Sequence, residues 1–454
     1  MINYIQNRDE LLSHGAAALR GAALDIANSA IAAADPGMAV RKMLKADKHQ
    51  LNIGKRMFEL TSNIRIFVIG AGKATFPIAK VIDEVLGSRI HRGLITCKMG
   101  QVGSLSNIDM HWASHPIPDE ASFEAAKRTK SLLTEVRSGD IVLSCFTGGS
   151  SALFVEPVDS ISLRDKALTN RILLGSGANI VEINAVRKHI SAVKGGKLVR
   201  SLPPGVHLVN LTVSDVIGDP LDCITDPSVP DTSTFADARA TLKKYDLWTR
   251  VPDSITRYLS HANVVDETSR ATDFSHLDRT DVLLIKSDAA CIAAAAAARL
   301  NGFTPLILST LFDGESRELG RFMAAIAKQI CRDGQPVRGP CVLIGGGEST
   351  VLVGNASGLG GPNQEFAVSF ATELQNRENV VGLALDTDGT DGPTEIAGAI
   401  VDATTASRAK SAKIDLYNTL VHHDVTPALR QLGDAIVTGA TGTNVNDLRL
   451  VLVG

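Results

Sequence analysis

The chain has 454 residues, and 44% of them are hydrophobic. Its 46 Lys and Arg residues against 49 Asp and Glu residues give a formal net charge of −3, which excludes a strong long-range attraction for nucleic acid or an anionic membrane surface. The length exceeds the size at which a single hydrophobic core usually stops growing, so we expect two domains.

The N-terminus comes first in chain order. It lacks a basic region followed by an apolar stretch, and no segment approaches the roughly 18 uninterrupted apolar residues that a membrane helix needs. These observations predict a cytoplasmic protein. Residues 8–60 are rich in alanine, with apolar positions at helical spacing, and they predict a helical segment that is interrupted at Asp35-Pro36-Gly37.

From Arg65 onwards the pattern changes to short runs of Val, Ile and Leu, each followed by a glycine-rich turn and a helical stretch. Uninterrupted apolar runs that alternate with helices predict a mostly parallel sheet with helices on both faces. The strands predicted for the first domain are Ile66–Ile69, Gly93–Cys97, Ile141–Ser144 and His207–Val213.

A polar and weakly patterned stretch between Asp237 and Thr280 predicts the boundary between the two domains. We therefore expect an N-terminal domain at 1–245, a linker at 246–280 and a C-terminal domain at 281–454. The predicted fold class is α/β, with two Rossmann-like three-layer domains, mostly parallel sheets and an N-terminal helical segment. The strands predicted for the C-terminal domain are Val282–Lys286, Thr304–Ser309, Cys341–Ile344 and Val380–Leu385.

The turn after the first predicted strand is rich in glycine. Gly70 and Gly72 let backbone amides approach an anion, and Lys73 adds a point charge at the start of a helix. The turn is not a Walker A loop, and Thr75 stands where the third glycine of a dinucleotide-binding turn would be. It predicts contact with a phosphate, and an ordinary tight turn between strand and helix is the alternative.

A second glycine-rich turn, from Thr147 to Ser151, follows the predicted strand Ile141–Ser144. It combines Gly148 and Gly149 with three hydroxyl side chains, a composition that can form a nest of N–H donors for phosphate or carboxylate. The structural alternative is that the glycines only relieve crowding. Open parallel sheets bind ligands at the carboxyl ends of their strands, which favours a binding role for both turns.

A basic helix is predicted around Glu182–Lys197, and Asn184, Lys188 and Ser191 share one of its faces because they fall at i, i+4 and i+7. Such a face could meet a substrate carboxylate or a transferring phosphoryl group. The alternative is a basic helix face that is simply solvated.

Two carboxylates, Asp215 and Asp219, follow the strand His207–Val213, at the place where a base or a metal ligand would lie. Aspartates also make turns and cap helices, so a structural role stays open.

The second domain repeats this pattern. Glu348 follows three glycines after the strand Cys341–Ile344, and Pro362 opens a predicted helix that continues with Asn363. The first segment thus combines three glycines with a carboxylate, and the second has proline near the first helical position, where its missing N–H does no harm.

An acidic loop from Asp386 to Pro393 follows the last predicted strand, and it carries the three carboxylates of Asp386, Asp388 and Asp391 among glycines. The loop resembles an oxygen-rich divalent-cation site, although it lacks the bidentate Glu of an EF-hand. Mg²⁺ held by one or two carboxylates and by nucleotide phosphates therefore fits better than a calcium cage. A structural Asx turn is the alternative.

The cysteines and histidines suggest no other chemistry. The six cysteines are scattered without a C-x-x-C pair, which argues against a disulfide framework and a structural zinc site. No histidine accompanies a nucleophile elbow, and His115 is interpreted as a loop residue. The remaining chemistry is charge neutralisation, positioning and in-line attack, which is what phosphoryl transfer requires.

Nine short motifs, taken together in this order and spacing, resemble the glycerate 2-kinase family, whose C-terminal half is called the MOFRL domain. The resemblance spans nearly the whole chain. The motifs are GAGKA from Gly70, HPIPD from His115, TGGSSA from Thr147, NAVRK from Asn184, KGGK from Lys194, SDVIGD from Ser214, GEST from Gly347, TDGTDGP from Thr387 and TGTN from Thr441.

The resemblance implies a kinase that uses ATP and Mg²⁺ to convert D-glycerate to 2-phosphoglycerate in a cleft between two α/β domains, and it leaves a homodimer open. Its only partners would be the hydroxy acid and ATP. The implied roles are catalysis for Lys73, Asp215 and Lys188; binding of substrate or phosphate for Gly72, Gly148, Gly149, Ser150, Asn184 and Lys194; binding of the nucleotide for Glu348, Asn363 and Asn444; and binding of the metal for Asp388 and Asp391.

The chain departs from the family at one position, because Pro362 stands where the family commonly has a functional arginine. Loss of a charge-assisted donor at a phosphoryl site costs several kcal/mol unless another group replaces it. Arg187 and Lys194 are candidates for that replacement. Alternatives to the kinase are an NAD(P)H-dependent hydroxypyruvate reductase, a kinase of a related sugar acid and a binding protein without turnover.

Overall fold

The structure is a computed structural model, and it describes residues 3–115, 117–214, 216, 218–224, 226–354, 356–374 and 379–454. Among these residues no helix has both the length and the apolar character to cross a membrane. The helices are α1 (Arg8–Leu12), α2 (Ala17–Ala33), α3 (Pro36–Met43), α4 (Thr75–Leu86), α5 (Glu120–Leu133), α6 (Ser150–Leu153), α7 (Leu163–Leu174), α8 (Ile180–His189), α9 (Leu221–Ile224), α10 (Phe235–Lys244), α11 (Asp253–His261), α12 (Ala289–Leu300), α13 (Ser316–Asp333), α14 (Pro362–Glu373), α15 (Thr405–Ser411), α16 (Leu416–Val421) and α17 (Val425–Leu432).

The predicted helical segment 8–60 is helical only as far as Met43. Beyond it lies a small antiparallel sheet, in which Leu51 and Ile53 are buried and alternate with partly exposed residues. This period of two is typical of a strand with one covered face. It extends over only four residues, so it is a weaker signal than the helical spacing of the alanine-rich segment before it. Gly54 makes the turn between the second and third strands with a φ of +59°. The strands are β1 (Leu44–Ala46), β2 (Gln50–Ile53) and β3 (Arg56–Glu59).

A six-stranded sheet in the order β6-β5-β4-β7-β8-β9 is parallel throughout. It contains the four strands that were predicted for the first domain, and it confirms the α/β class. Because its strands all run in the same direction, the loops that follow them meet at one edge. Its strands are β4 (Ile66–Ala71), β5 (Ile90–Lys98), β6 (Asp109–Ala113), β7 (Ile141–Ser144), β8 (His207–Val213) and β9 (Asp278–Ile285).

A second six-stranded sheet has the order β10-β11-β15-β12-β13-β14. Only the pair β10 and β11 is parallel, so the expectation of a mostly parallel sheet holds for the first sheet and not for this one. For the pair β12 and β13 the physical reason is the short connection 387–397, which cannot contain the crossover helix that a parallel neighbour needs. The strands are β10 (Thr304–Phe312), β11 (Cys341–Gly347), β12 (Val380–Asp386), β13 (Gly398–Asp402), β14 (Ala435–Ile436) and β15 (Asp447–Val453).

The described residues form two compact units, and their limits differ from the predicted domains. The first unit comprises 36–214 and 219–285, and the second comprises the residues up to Asp35 and those from Lys286 onwards. The predicted linker 246–280 is therefore a part of the first unit. It contains helix α11 and enters strand β9, which pairs with β8 even though we had assigned it to the C-terminal domain.

Helices α1 and α2 belong to the second unit, in which α2 packs on α12 and carries a buried arginine. Arg20 Nε lies 2.5 Å from Asp402 Oδ2, and its Nη2 lies 2.9 Å from Asp434 Oδ1. All three side chains are at most 1% exposed. Removing such a partner would leave a carboxylate buried without its cation, which is costly.

Candidate active site

Two glycine-rich loops lie side by side at the carboxyl edge of the parallel sheet. The amide of Lys73 donates to the carbonyl of Gly148 at 2.8 Å, and the amide of Ala74 donates to Thr147 Oγ1 at 3.2 Å. Gly72 has a φ of +145°, and a Cβ there would lie 2.1 Å from Thr147 Oγ1. The close contact explains why glycine is required at this position. The structure thus brings the two predicted phosphate loops together.

The partly exposed side chain of Lys73 extends along the second of these loops. A Cβ at Gly149, whose φ is +87°, would lie 3.2 Å from Lys73 Cγ and 3.4 Å from His115 Nε2. His115 is therefore close to Lys73, which its interpretation as an ordinary loop residue did not anticipate. Ser150 begins the short helix α6 and is 4% exposed. Glycine at 149 keeps this part of the loop thin enough for the lysine side chain to pass.

Thr147 is a residue whose role the sequence did not reveal. It is buried, and its Oγ1 lies 3.3 Å from Thr75 Oγ1, which itself donates to the carbonyl of Cys145 at 2.8 Å. These bonds hold the start of α4 against the end of β7. The only available signal was the threonine at the head of the glycine pair, and that pattern is common in turns.

Helix α8 begins with a capping box in which the Asn179 side chain accepts from the Glu182 amide at 3.0 Å. The sequence predicted that the helix face with Asn184, Lys188 and Ser191 would either line a cleft or be solvated. In the structure all three side chains are buried. Lys188 is 3% exposed, and its Nζ lies 2.9 Å from both Asp222 Oδ2 and Asp231 Oδ1. The ammonium group is therefore neutralised by protein carboxylates.

The electrostatics of this pair follow from its burial. Burial alone would lower the pKa of Lys188, but the carboxylates of Asp226, Asp231 and Asp222 outweigh it and raise the pKa. Burial also acts to raise the pKa of Asp231, and the neighbouring Lys188 reverses that effect and lowers it. Both groups are thus held in their charged forms, so Lys188 is a poor acceptor of a proton.

Two further predicted residues lie beside the segment that follows β8. Lys194 Nζ lies 2.5 Å from Asp226 Oδ2, and the amide of Gly195 donates to Asp226 Oδ1 at 2.5 Å. Asn184 is buried and hydrogen-bonds with the thiol of Cys223. Asn184, Lys188 and Lys194 therefore surround one acidic segment, which the sequence pattern did not single out. Asp215, which was predicted to be catalytic and is one of two candidates for the base together with Asp388, lies outside the described residues.

The acidic loop leaves the second sheet at the end of β12. Strand pairing places Asp386 opposite Asp447, and Asp447 opposite Gly347, so the loops after β11 and β12 meet at one edge. Asp388 is 8% exposed, and its Oδ1 accepts from the amide and the hydroxyl of Thr390, at 2.8 Å in both cases. This is an Asx turn, the structural alternative that the sequence left open.

Asp391 caps helix α14. Its Oδ1 accepts from the Asn363 amide at 3.1 Å, and its Oδ2 accepts from the Gln364 amide at 2.9 Å, with one side-chain amide bond to each oxygen at 3.1 and 3.0 Å. Burial raises the pKa of Asp391 to about 7, although the donors around it act in the opposite direction. Both oxygens are occupied, so the carboxylate does not fit the predicted role of a metal ligand. In the described part of the chain, no group of three or more His, Cys, Asp or Glu side chains could hold a metal ion.

Asn363 faces the interior instead of a nucleotide. It is fully buried, and its Nδ2 donates to Asp391 Oδ1 at 3.1 Å and to Asp447 Oδ1 at 2.6 Å. Asp447 in turn accepts from Arg449 Nη2 at 2.5 Å. Neither Asp447 nor Arg449 was predicted, because an acidic and a basic residue in an apolar final strand carry no motif.

The two other residues predicted for the nucleotide lie at the same edge. Glu348 is exposed, directly after β11, and its amide donates to the carbonyl of Phe312 at 2.9 Å. Asn444 is partly exposed, and its Oδ1 accepts weakly from the Asn446 amide at 3.4 Å. Both remain accessible, so their predicted binding role stays a prediction.

Comparison with known proteins shows to which family the chain is similar. A family model described as "Domain of unknown function (DUF4147)" matches residues 22–260, and one described as "MOFRL family" matches residues 341–447. A glycerate 2-kinase of Pyrococcus horikoshii is 39% identical over 96% of this chain and 97% of its own length. An Agrobacterium vitis relative that carries a hydroxypyruvate reductase name is 38% identical over 94% of this chain and 93% of its own. The crystal structure of a glycerate kinase from Thermotoga maritima matches with a TM-score of 0.80 and 36% identity, over 96% of this chain and 100% of that chain.

Proposed function

Because the chain belongs to the glycerate 2-kinase family and contains its MOFRL domain, we propose that it transfers a phosphoryl group from ATP to the 2-hydroxyl of D-glycerate. The observation that carries this proposal is the pair of glycine-rich loops around Lys73. They place a cation and closely packed backbone at the carboxyl edge of a parallel sheet, where phosphoryl groups are bound in such folds.

Phosphoryl transfer demands positioning and charge neutralisation more than covalent chemistry. Lys73 supplies the positive charge, and the bond from its own amide to the carbonyl of Gly148 fixes the backbone from which the side chain extends. Ser150 and Asn184 would orient the hydroxy acid. Lys188 is already paired with two carboxylates, so we assign it the role of holding α8 and the acidic segment together.

The nucleotide side of the reaction belongs to the second unit in this proposal. The exposed Glu348 and the partly exposed Asn444 are candidates for nucleotide contact, whereas Asn363 is committed to the buried network. A Mg²⁺ ion would neutralise the nucleotide phosphates, and of the two predicted metal ligands we assign this contact to Asp388, because the oxygens of Asp391 cap helix α14. The magnesium proposal therefore rests on Asp388 and on the general demand of ATP chemistry.

The reductase alternative receives no support from the site. A dinucleotide-binding turn needs a third glycine for close packing of helix and strand. Thr75 occupies that position, is fully buried and uses its hydroxyl to bind the carbonyl of Cys145. Hydroxypyruvate-dependent oxidation of NADH should accordingly be absent.

The decisive experiment is an ADP-release assay of the purified protein with ATP, Mg²⁺ and a panel of hydroxy acids of three to six carbons. We expect D-glycerate to give the highest kcat/KM and the product to be 2-phosphoglycerate, identified by NMR. No ADP above background with D-glycerate would end the glycerate proposal, and a better longer acid would redirect it to a sugar-acid kinase. Light scattering of the same sample tests the proposed homodimer, and location in the cytoplasm stays a prediction.

A further inference from the structure

The interior of the first unit contains two cations that form no ion pair with a carboxylate of the described residues. Lys166 on α7 is 1% exposed, and its Nζ donates to the main-chain carbonyl of Arg187 at 3.2 Å. Arg187 on α8 is 9% exposed, and its Nε has no hydrogen-bond partner among the described residues. Lysine and arginine are almost never buried unless they are paired, so this arrangement calls for an explanation.

The nearest carboxylate cannot neutralise both groups. Asp226 already binds Lys194 Nζ at 2.5 Å and the amide of Gly195 at 2.5 Å. Lys166 and Arg187 thus depend on a carboxylate that already forms an ion pair with Lys194 and also acts on Lys188. Burial and then the charges of Lys194 and Arg187 lower the pKa of Lys166, and burial lowers the pKa of Arg187 to about 10. The cluster formed by Lys166, Arg187, Lys194 and Asp226 therefore has more positive than negative charges.

A polar acceptor completes the chemistry of the cluster. Asn170 lies one helical turn after Lys166 on α7, so the two side chains share a face. It is 7% exposed, and its Oδ1 has no hydrogen-bond partner in the described part of the chain. An amide oxygen can accept from a hydroxyl group, while the guanidinium and ammonium groups can donate to an oxyanion. Donors for an anion beside an acceptor for a hydroxyl match a hydroxy acid.

We propose that Arg187, Lys166 and Asn170 form an oxyanion pocket that receives the carboxylate of the hydroxy acid or the phosphate of its phosphorylated product, with Arg187 as the residue that selects for an anionic substrate. The identity of the ligand rests on the proposed function. The pocket itself rests on Arg187 Nε and Asn170 Oδ1, which have no hydrogen-bond partner among the described residues. A phosphate and a carboxylate offer the same acceptor geometry to arginine, so both sources are tested.

The first test is kinetic. We expect Arg187→Gln to raise the KM for D-glycerate by about tenfold or more, as expected for the loss of a charge-assisted hydrogen bond, and to leave the KM for ATP nearly unchanged. Arg187→Lys should restore part of the affinity. The matched control is Arg171→Gln on the exposed side of α7, which removes the same charge and should change neither constant. Equal changes in both KM values for Arg187→Gln would overturn the proposal.

The second test does not require activity. Inorganic phosphate and D-glycerate, added separately, should raise the melting temperature of the wild-type protein and should raise it less for Arg187→Gln and Lys166→Met. Stabilisation by only one of the two ligands identifies which anion the pocket takes. Equal stabilisation of the wild type and both variants would refute the pocket.

The failure of the proposed function can be told apart from the failure of the pocket. If the wild-type protein releases no ADP with D-glycerate but phosphate still stabilises it through Arg187, only the kinase assignment is lost. If Arg187→Gln does not fold, Lys166→Met decides the question: a smaller stabilisation by phosphate and D-glycerate than in the wild type supports the pocket, and an equal stabilisation refutes it.

Discussion

At the scale of single residues, Lys73 is the cation on which the proposed chemistry depends. We expect Lys73→Ala to lower kcat/KM by roughly 10²- to 10³-fold, because a preorganised electrostatic contact to the transition state is lost. The melting temperature should change little, since the loop is held by backbone bonds of residues 73 and 74. Lys80→Ala on the exposed side of α4 is the matched control and should be fully active. A Lys73→Ala variant with normal activity would remove Lys73 from the mechanism.

Pro362 gives a prediction in the opposite direction. It occupies the first turn of α14, where a proline lacks only an N–H that has no helical partner, so the substitution is compatible with the fold. The missing arginine should affect the rate instead. We expect Pro362→Arg to raise kcat/KM by about tenfold, the value of one added charge-assisted hydrogen bond. An unchanged kcat/KM would mean that another cation already serves this function.

At the scale of elements, Asp391 determines how helix α14 begins. The helix has no capping side chain of its own at Gly361, and Asp391 caps it from another loop. Asp391→Asn places an amide donor against donors, and we expect a loss of about 1–3 kcal/mol in the free energy of unfolding. Urea denaturation measures this loss. A metal ligand would behave differently, with an unchanged unfolding energy and a higher Mg²⁺ requirement for activity.

The same carboxyl group predicts a pH dependence. Its folded pKa of about 7 lies above the usual value of about 3.9 for an aspartate, so the native state keeps a proton that the unfolded chain releases. The contribution of Asp391 to the free energy of unfolding therefore falls as the pH rises from about 4 to about 7. Urea denaturation of the wild type and of D391N at several pH values measures this contribution. We expect the free energy of unfolding to fall with pH in the wild type by an amount that D391N does not show. Parallel curves would show that Asp391 is ionised throughout.

At the scale of the whole molecule, Arg20 connects the start of the chain to the second sheet. We expect Arg20→Met to cost about 3–5 kcal/mol, because it leaves the buried carboxylates of Asp402 and Asp434 without this partner. Burial acts to raise the pKa of Asp402, but Arg20 together with hydrogen bonds from Thr404 and Ala16 outweighs it and holds the pKa at about 2. This part of the stability is therefore present above about pH 4 and disappears as the pH falls towards 2.

Hydrogen exchange can localise that effect. Strands β12 and β13 should lose protection in R20M, since they belong to the unit that contains Arg20. Both tryptophans, Trp112 and Trp248, lie in the first unit, so their fluorescence follows a different part of the chain. A protection loss confined to β4 and β7 would contradict the assignment of α1 and α2 to the second unit.

The sequence by itself determined the α/β class, five of the six strands of the parallel sheet, three of the six strands of the second sheet, the glycine-rich loops and the family. These features are local or ordered along the chain: an apolar run predicts a buried strand, and two glycines around Lys73 predict a close approach of the backbone. Pro362 was likewise correctly placed at the start of a helix, because proline has a defined preference for that position.

Only the tertiary structure decided how distant residues are paired. Lys188 was predicted to face a substrate, but Asp231, which lies 43 residues further along the chain, neutralises it. Asp391 was predicted to bind a metal, but it caps a helix that begins 29 residues before it. Strand β15 lies antiparallel between β11 and β12, and α2 joins a unit whose main part begins at residue 286. Composition and spacing record which side chains are available, whereas burial and long-range packing determine which charges are already satisfied and which remain for a ligand.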